Sequence, residues 1–128
     1  MTLDALGRHV LAEIHGCPFE VLNNVTKVEE IMVKAALEAG AEVREVLFHK
    51  FSPQGVSGVV VISESHLAIH TWPELGYAAV DVFTCGDKVD PWDACNYLAE
   101  MFNATNVDAK ETQRGIRYNI PEVKAVNL

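Results

Sequence analysis

Reactive side chains are concentrated in one segment of this chain, Ser63 to Glu74, which directly follows an apolar run, Val59 to Ile62. The segment contains two Ser, two Glu, two His and one Trp. Hydroxyls can act as nucleophiles, imidazoles as bases, and an indole as a surface on which a ligand stacks. Because these groups are neighbours in sequence at the end of a buried strand, they predict a functional site.

A metal site is the first candidate chemistry for this segment. In an extended strand His66 and His70 are separated by roughly 13 Å, whereas zinc ligands lie within about 2.1 Å of the metal. A His-x-x-x-His site therefore requires a helix. The β-branched and aromatic residues of the segment favour a strand instead, so we predict no metal here.

A serine hydrolase is the second candidate. Ser65, His70 and Asp81 supply the residue types of a catalytic triad. However, the chain lacks the Gly-x-Ser-x-Gly elbow and the larger scaffold that exposes such a serine. The remaining alternative is a β-hairpin whose Ser and His side chains only satisfy buried backbone groups.

Two helices are predicted to position the segment. Thr26 to Glu29 has the pattern of a capping box, and apolar residues then recur at helical spacing until Gly40 supplies a stop. Asp90 as N-cap and Pro91 at the first helical position begin a second helix. Cys95 falls on the apolar stripe of that helix, so we expect it in the core.

The strands are predicted from runs rich in Val, Ile, Phe and Tyr, broken by turn residues at Pro53 to Gly55 and Pro73 to Gly76. In the first strand Val10, Ala12 and Ile14 share one side. The polar segment from Arg114 onward is expected to be a loosely held tail. The predicted strands are Leu6 to Ile14, Ala41 to Phe51, Gly58 to Ser63, Leu67 to Thr71, Tyr77 to Thr84 and Asn106 to Thr112.

This pattern predicts one α+β domain over residues 1–128, a two-layer sandwich of an antiparallel sheet with two helices on one face. Two helices cover only one face of such a sheet, and Val59 to Ile62 is apolar on both of its faces. The other sheet face is therefore expected to pack in a homodimer, sheet to sheet, in an αββα arrangement.

Composition narrows the classes of partner. The chain has 128 residues, with 10 Lys and Arg against 18 Asp and Glu, a net charge of −8 and a pI near 5.0. Such a surface repels phosphate backbones and anionic lipid, so we predict neither nucleic-acid nor membrane binding. The net negative charge of the chain favours a small cationic ligand over these anionic partners.

The expected compartment is the cytoplasm. The longest aliphatic run, Val59 to Ile62, is far shorter than the ~20 residues that cross a bilayer. Cys17, Cys85 and Cys95 cannot all pair and none lies in a Cys-x-x-Cys motif, so free thiols in a reducing compartment fit best.

Three blocks carry a resemblance to a known family. Gly55 to Leu67 (GVSGVVVISESHL), His70 to Glu74 (HTWPE) and Phe83 to Gly86 (FTCG) closely resemble the prokaryotic S-adenosylmethionine decarboxylase proenzymes. The likeness extends from about Leu6 to about Gly115, which is most of the chain.

The resemblance implies that the chain cuts itself between Glu64 and Ser65, giving a beta chain of residues 1–64 and an alpha chain of residues 65–128. Ser65 would become a covalent pyruvoyl group, the cofactor that decarboxylates S-adenosyl-L-methionine for spermidine biosynthesis. No side chain is an adequate electron sink for this reaction, so a carbonyl cofactor that forms a Schiff base is required. The resemblance also implies a homodimer in which both subunits contribute to the pocket.

Roles for site residues follow from the same resemblance. Ser57 and His70 are implied to serve the processing of Ser65. Cys85 is implied to protonate the substrate carbon after carbon dioxide leaves, and a thiol of ordinary pKa about 8.5 is chiefly protonated at pH 7.

Substrate contacts are implied for four further residues. Phe51 and Trp72 would contact the nucleoside and methionine parts, Leu67 the pocket wall, and Glu74 the ribose hydroxyls. Aromatic faces attract both adenine and a sulfonium cation, and a carboxylate accepts hydrogen bonds from two neighbouring hydroxyls.

The chemistry sets two requirements on local structure. A planar peptide does not rearrange unaided, so the Glu64-Ser65 link should lie in a strained turn. Strict alternation puts Leu67 and Ile69 on the side of Ser65 and His70 on the other, so His70 reaches Ser65 only through a bulge, a bend or a neighbouring strand. A non-catalytic α+β ligand-binding module that never cleaves is the alternative function.

Overall fold

The fold is a six-stranded antiparallel sheet with two main helices on one face, seen in a computed structural model that describes residues 5–117. This confirms the predicted α+β class. The strand order across the sheet is β2-β3-β4-β5-β1-β6. The elements are β1 Ala5–His15, α1 Phe19–Leu22, α2 Val25–Glu38, β2 Val43–Lys50, β3 Val56–Ile62, β4 Ser65–Trp72, a 3-10 turn at Pro73–Leu75, β5 Tyr77–Cys85, α3 Pro91–Met101 and β6 Asn106–Ile116.

The core lies between the sheet and the two helices, α2 and α3. In β1 the predicted inward residues Val10, Ala12 and Ile14 are all buried, and the same alternation continues in β4 and β5. Cys95 is buried as predicted. Apolar burial on this one face fixes the register of the central strands, because a one-residue slip would turn every inward side chain outward.

One predicted helix cap is confirmed and the other is wrong. Asp90 caps α3 and accepts a hydrogen bond from the Trp92 backbone N–H at 2.9 Å. For α2 the cap is Asn24, not Thr26, and its side chain accepts from the Lys27 N–H at 3.1 Å. Asn is a stronger N-cap than Thr, and the short helix α1 ends two residues before Asn24, so α2 begins earlier than the capping-box pattern predicts.

The last strand is longer than predicted. β6 runs to Ile116, and Arg114, expected in the tail, pairs with Gly7 of β1 and contacts His9 Nδ1 at 3.0 Å. The expectation of a loose segment beginning at Arg114 is therefore wrong. The rest of the predicted tail, residues 118–128, lies outside the described residues.

Within residues 5–117, the sheet face opposite the helices is not covered by any element of the chain. It carries exposed apolar side chains, among them Leu47 at 71%, Trp72 at 41% and Val61 at 37% exposure. Apolar surface of this extent on a sheet face indicates a partner, and the dimer stays a prediction. No helix in the same range has the length and apolar character needed to span a bilayer.

Candidate active site

The turn that carries the Glu64-Ser65 bond is tight and conformationally unusual. β3 ends at Ile62 and β4 begins at Ser65, and these two residues pair directly across the turn. Glu64 has a φ of 73°, in the left-handed region. Among the described residues, the other non-glycine residue with positive φ is Asn103, a type that tolerates this conformation better than Glu does. The predicted strain at this link is therefore present.

The Ser65 hydroxyl lies between the scissile peptide and a thiol. Its Oγ donates a hydrogen bond to the Glu64 carbonyl oxygen, and it contacts Cys85 Sγ at 3.1 Å. The hydroxyl and the thiol can each donate or accept in this second contact. Cys85 is the last residue of β5, so pairing of β4 with β5 brings it to Ser65.

Ser57 and His70 form a second pair of reactive groups. They are directly opposite in the β3/β4 ladder, and Ser57 Oγ lies 2.7 Å from His70 Nδ1. Both lie on the uncovered sheet face, where His70 is exposed and Ser57 is half-buried. The hydrogen bond fixes the imidazole orientation and leaves Nε2 directed away from Ser57.

A cleft of about 330 Å³ adjoins this pair, and it contains three of the four residues implied as substrate contacts. Its floor is held by Thr71, whose Oγ1 accepts from the Val56 N–H and donates to the Leu22 carbonyl, both at 2.9 Å. The lining residues are Phe51, Pro53, Gln54, Gly55, Ser57, His70, Thr71, Trp72 and Glu74.

Aromatic stacking supports one wall of the cleft. The ring centroids of Trp72 and Tyr77 are 5.3 Å apart, and those of Tyr77 and His15 are 5.1 Å apart. The Tyr77 hydroxyl donates to Glu13, and this hydrogen bond raises the pKa of Tyr77 to about 12. No sequence pattern indicates that Tyr77 and His15 support the cleft, because their stacking depends on how the strands pair.

Leu67, the fourth implied contact, lies elsewhere. Its side chain is 1% exposed and packs in the core, on the helix side of the sheet. Only its backbone is available to the face on which the cleft opens.

The two reactive pairs lie at opposite ends of one ladder. The β3/β4 register runs without a bulge from Ser57↔His70 to Ile62↔Ser65. Ser65 and His70 are five residues apart along β4, which at about 3.3 Å per residue is roughly 16 Å. One chain thus unites Ser65 with Cys85 and Ser57 with His70, but does not bring the two pairs together.

The three cysteines differ in surroundings. All are free; burial raises the pKa of Cys17 to about 11 and also raises that of Cys95, so both remain neutral core thiols. Cys85 is half-buried and is the one in contact with Ser65. Within residues 5–117 no group of three or more His, Cys, Asp or Glu side chains is arranged to hold a metal ion.

Comparison with known proteins points to one family. The family model for S-adenosylmethionine decarboxylase matches residues 8–115. The chain is 76% identical over 124 residues to an S-adenosylmethionine decarboxylase proenzyme of Moorella thermoacetica, covering 97% of this chain and 98% of the relative. It is 80% identical over 117 residues to the proenzyme of the same name from Pelotomaculum thermopropionicum, covering 91% and 90%.

A solved structure agrees with these matches. The crystal structure of the adenosylmethionine decarboxylase from Aquifex aeolicus superposes with a TM-score of 0.83 at 33% sequence identity. The superposition covers 97% of this chain and 99% of that one.

Proposed function

This chain belongs to the S-adenosylmethionine decarboxylase family, and we propose that it is a proenzyme that cuts itself between Glu64 and Ser65 and then decarboxylates S-adenosyl-L-methionine. The product would supply aminopropyl groups for spermidine. The single observation that carries the self-cleavage is the Ser65 hydroxyl held against the Glu64 carbonyl, in a turn where Glu64 has positive φ.

The first step exchanges an amide for an ester. Ser65 Oγ forms a bond to the Glu64 carbonyl carbon, the carbon–nitrogen bond breaks, and the Ser65 nitrogen gains the hydroxyl proton. Strain at Glu64 raises the energy of the peptide before the reaction, which lowers the remaining barrier.

The second step breaks the ester by β-elimination. A base removes the Ser65 Cα proton, the Cβ–Oγ bond breaks, and the serine oxygen leaves as part of the Glu64 carboxylate. The resulting dehydroalanine takes up one water and releases ammonia, leaving a ketone at the start of residues 65–128. Residues 1–64 form the other chain, and the reaction needs no protease.

This ketone is a pyruvoyl group, which would supply the electron sink that decarboxylation requires. The surroundings of Ser65 fit it: the residue lies at a strand end, and the Cys85 thiol is within hydrogen-bond distance. We assign Cys85 as the acid that delivers a proton to the substrate carbon once carbon dioxide has left.

His70 is the base that we assign to the elimination. In the tautomer in which Nδ1 donates to Ser57 Oγ, the lone pair of Nε2 is free to accept the Ser65 Cα proton. In that tautomer the contact with Ser57 occupies Nδ1 and leaves Nε2 as the basic nitrogen.

The separation of roughly 16 Å within one chain supports a shared site. We propose a homodimer in which the uncovered sheet faces pack together, so that Ser57 and His70 of one protomer act on Ser65 and Cys85 of the other. Exposed Leu47 and Val61 on that face supply apolar area for such an interface.

For the substrate we assign Phe51 and Trp72 to the nucleoside and methionine parts and Glu74 to the ribose hydroxyls. All three line the cleft. Leu67 would contribute through its backbone, because its side chain is buried. The carboxylate of Glu74 also favours the positive charge of a sulfonium. Free thiols and an acidic surface support a cytoplasmic protein that binds neither nucleic acid nor membrane.

Intact-mass analysis of the purified chain tests the cleavage. We expect two chains, residues 1–64 and residues 65–128, the second beginning in a ketone that borohydride or a hydrazine modifies. A single full-length species that persists on long incubation would overturn the proposal, as would a second chain beginning in an ordinary amino group. A fluorophosphonate-reactive, uncut chain would instead indicate a serine hydrolase.

A further inference from the structure

A β-bulge next to the cleavage turn carries an arginine. In the β2/β3 ladder Val43 pairs with Ile62 and Glu45 pairs with Val61, with an irregularity between them. Arg44 is therefore the extra residue of β2, without a ladder partner on β3. Bulges of this kind redirect a side chain, and they are frequent beside active sites.

The Arg44 side chain is directed at the first residue of the turn. Its Nε donates to Ser63 Oγ at 3.0 Å, and its NH2 lies 3.0 Å from Glu42 Oε1. The Ser63 backbone N–H donates to the Glu42 carbonyl at 2.9 Å. The side-chain hydroxyl and the backbone N–H of Ser63 are thus both hydrogen-bonded to residues 42–44.

These contacts act on the scissile bond through one residue. The turn contains only Ser63 and Glu64, so fixing Ser63 restricts rotation of the peptide that joins it to Glu64. Relaxation of Glu64 from a φ of 73° to an ordinary negative value requires that rotation. The braced Ser63 therefore opposes the motion that would release the strain.

We propose that Arg44 is a positioning residue for self-cleavage, which acts through Ser63 to hold Glu64 and Ser65 in the reactive turn. This inference rests on the proposed function. Arg44 transfers no proton, because a guanidinium stays charged at all relevant pH values. Its side chain is 59% exposed and that of Glu42 is 68% exposed, so the ion pair contributes little to folding.

The test follows self-cleavage of the full chain after a short labelling pulse in cell-free synthesis, by electrophoresis and intact mass. We expect Arg44→Ala and Ser63→Ala each to slow cleavage about three- to tenfold, the range for losing one charge-assisted hydrogen bond near a surface. Because both remove the same contact, the double variant should be no slower than the slower single variant.

Conservative variants and a matched control separate positioning from a general structural effect. Ser63→Thr keeps the hydroxyl and Arg44→Lys keeps a charged donor, so both should recover most of the rate. Lys34→Ala removes an ion pair of similar exposure on α2, Lys34 with Glu30 at 3.2 Å, and should cleave at the wild-type rate.

Three outcomes would overturn the inference: wild-type cleavage by Arg44→Ala, rate losses that multiply in the double variant, or failure of Ser63→Thr to recover. If Arg44→Ala does not fold, the comparison of Ser63→Ala with Ser63→Thr decides. An uncut wild-type chain would contradict the proposed function itself and is distinct from all of these.

Discussion

Ser65 and Cys85 face each other across 3.1 Å, yet their proposed roles fall at different stages of the protein's life. In the proposed mechanism the Ser65 oxygen leaves with the Glu64 carboxylate when the backbone breaks, whereas a proton from Cys85 is needed in every turnover. Substitutions at the two positions should therefore separate maturation from catalysis.

Ser65→Ala removes the nucleophile from the cleavage turn. We expect an uncut, inactive chain whose melting temperature lies within a few degrees of the wild-type precursor, because a small hydroxyl is lost at a half-buried strand end. Intact mass and circular dichroism measure both. A cut and active Ser65→Ala chain would remove Ser65 from the mechanism.

Cys85→Ala removes the proposed acid and keeps the nucleophile. We expect appreciable cleavage but a fall in kcat of about 10²–10⁴-fold, the range for loss of a general acid. The rate should be measured per titrated ketone, so that incomplete maturation is not counted as slow turnover. Normal decarboxylation by this variant would contradict the assignment.

Whether a contact between two residues can be predicted from the sequence depends on how far apart they are along the chain. Glu64 and Ser65 are adjacent, so a motif finds them. The contact of Ser57 with His70 needs the β3/β4 register, and the contact of Arg44 with Ser63 needs a bulge that no residue pattern marks. The stacking of Trp72 on Tyr77 cannot be predicted from the sequence either, because it also depends on how two strands pair.

Among the elements, α3, β1 and β6 are joined by one carboxylate. Glu111 accepts from Arg8 at 2.8 and 3.0 Å, from Trp92 Nε1 at 2.7 Å, and from Gln113. The hydrogen bonds from Arg8 are the main cause that lowers the pKa of Glu111 from 4.5 to about 2. This cluster ties the edge strand β6 to the body of the sheet.

The lowered pKa predicts an acid-sensitive contribution to stability. Since the unfolded state binds the Glu111 proton more readily, the contribution is present above pH 4.5 and is lost as the pH falls toward 2. We expect Glu111→Gln to lower the free energy of unfolding by about 1–2 kcal/mol at pH 6, after allowance for solvent screening. The difference from wild type should shrink between pH 4.5 and 2.

Urea unfolding of both proteins at several pH values measures this difference. Glu30→Gln, which breaks an exposed ion pair with Lys34 on α2, serves as the control and should change stability little at any pH. A Glu111→Gln effect that is constant from pH 6 to pH 2 would contradict the assignment.

The elements themselves are largely predictable, since apolar alternation and cap residues are local. Asp90 with Pro91 marks the start of α3 correctly, whereas the competition between Asn24 and Thr26 for the cap of α2 depends on where α1 ends. Beyond Thr112, Arg114 of β6 contacts His9 and Phe83 on other strands. A local sequence pattern cannot predict these contacts, because the partners are distant in sequence.

For the whole molecule, the sequence predicts an uncovered sheet face, because two helices can cover only one of the two faces of the sheet. Which side chains meet across that face does not follow, because in the proposed dimer they belong to two copies of the chain. A shared site makes a prediction that a single-chain site does not.

Complementation between two inactive variants tests the shared site. Ser65→Ala and His70→Ala should each be inactive alone, but co-expression gives mixed dimers with one site that has both Ser65 and His70. We expect about a quarter of the wild-type activity, since random pairing makes half of the dimers mixed and each has one intact site. Only the His70→Ala chain should be cut.

Co-expression of Ser65→Ala with Cys85→Ala is the matched control. Those two residues touch within one chain, so mixing should restore little activity. Equal recovery in both mixtures, or none in either, would argue against sharing across the interface.

The strand order β2-β3-β4-β5-β1-β6 has a further consequence once the turn after Ile62 is opened. β1 belongs to the first half of the chain but lies between β5 and β6 of the second half, so the two fragments of the proposed cleavage would stay associated while folded. After melting, however, each fragment must find the other by diffusion. Recovery of the matured enzyme after heating should then depend on its concentration. The uncut precursor, in contrast, should refold as a single polypeptide at a rate that does not depend on concentration.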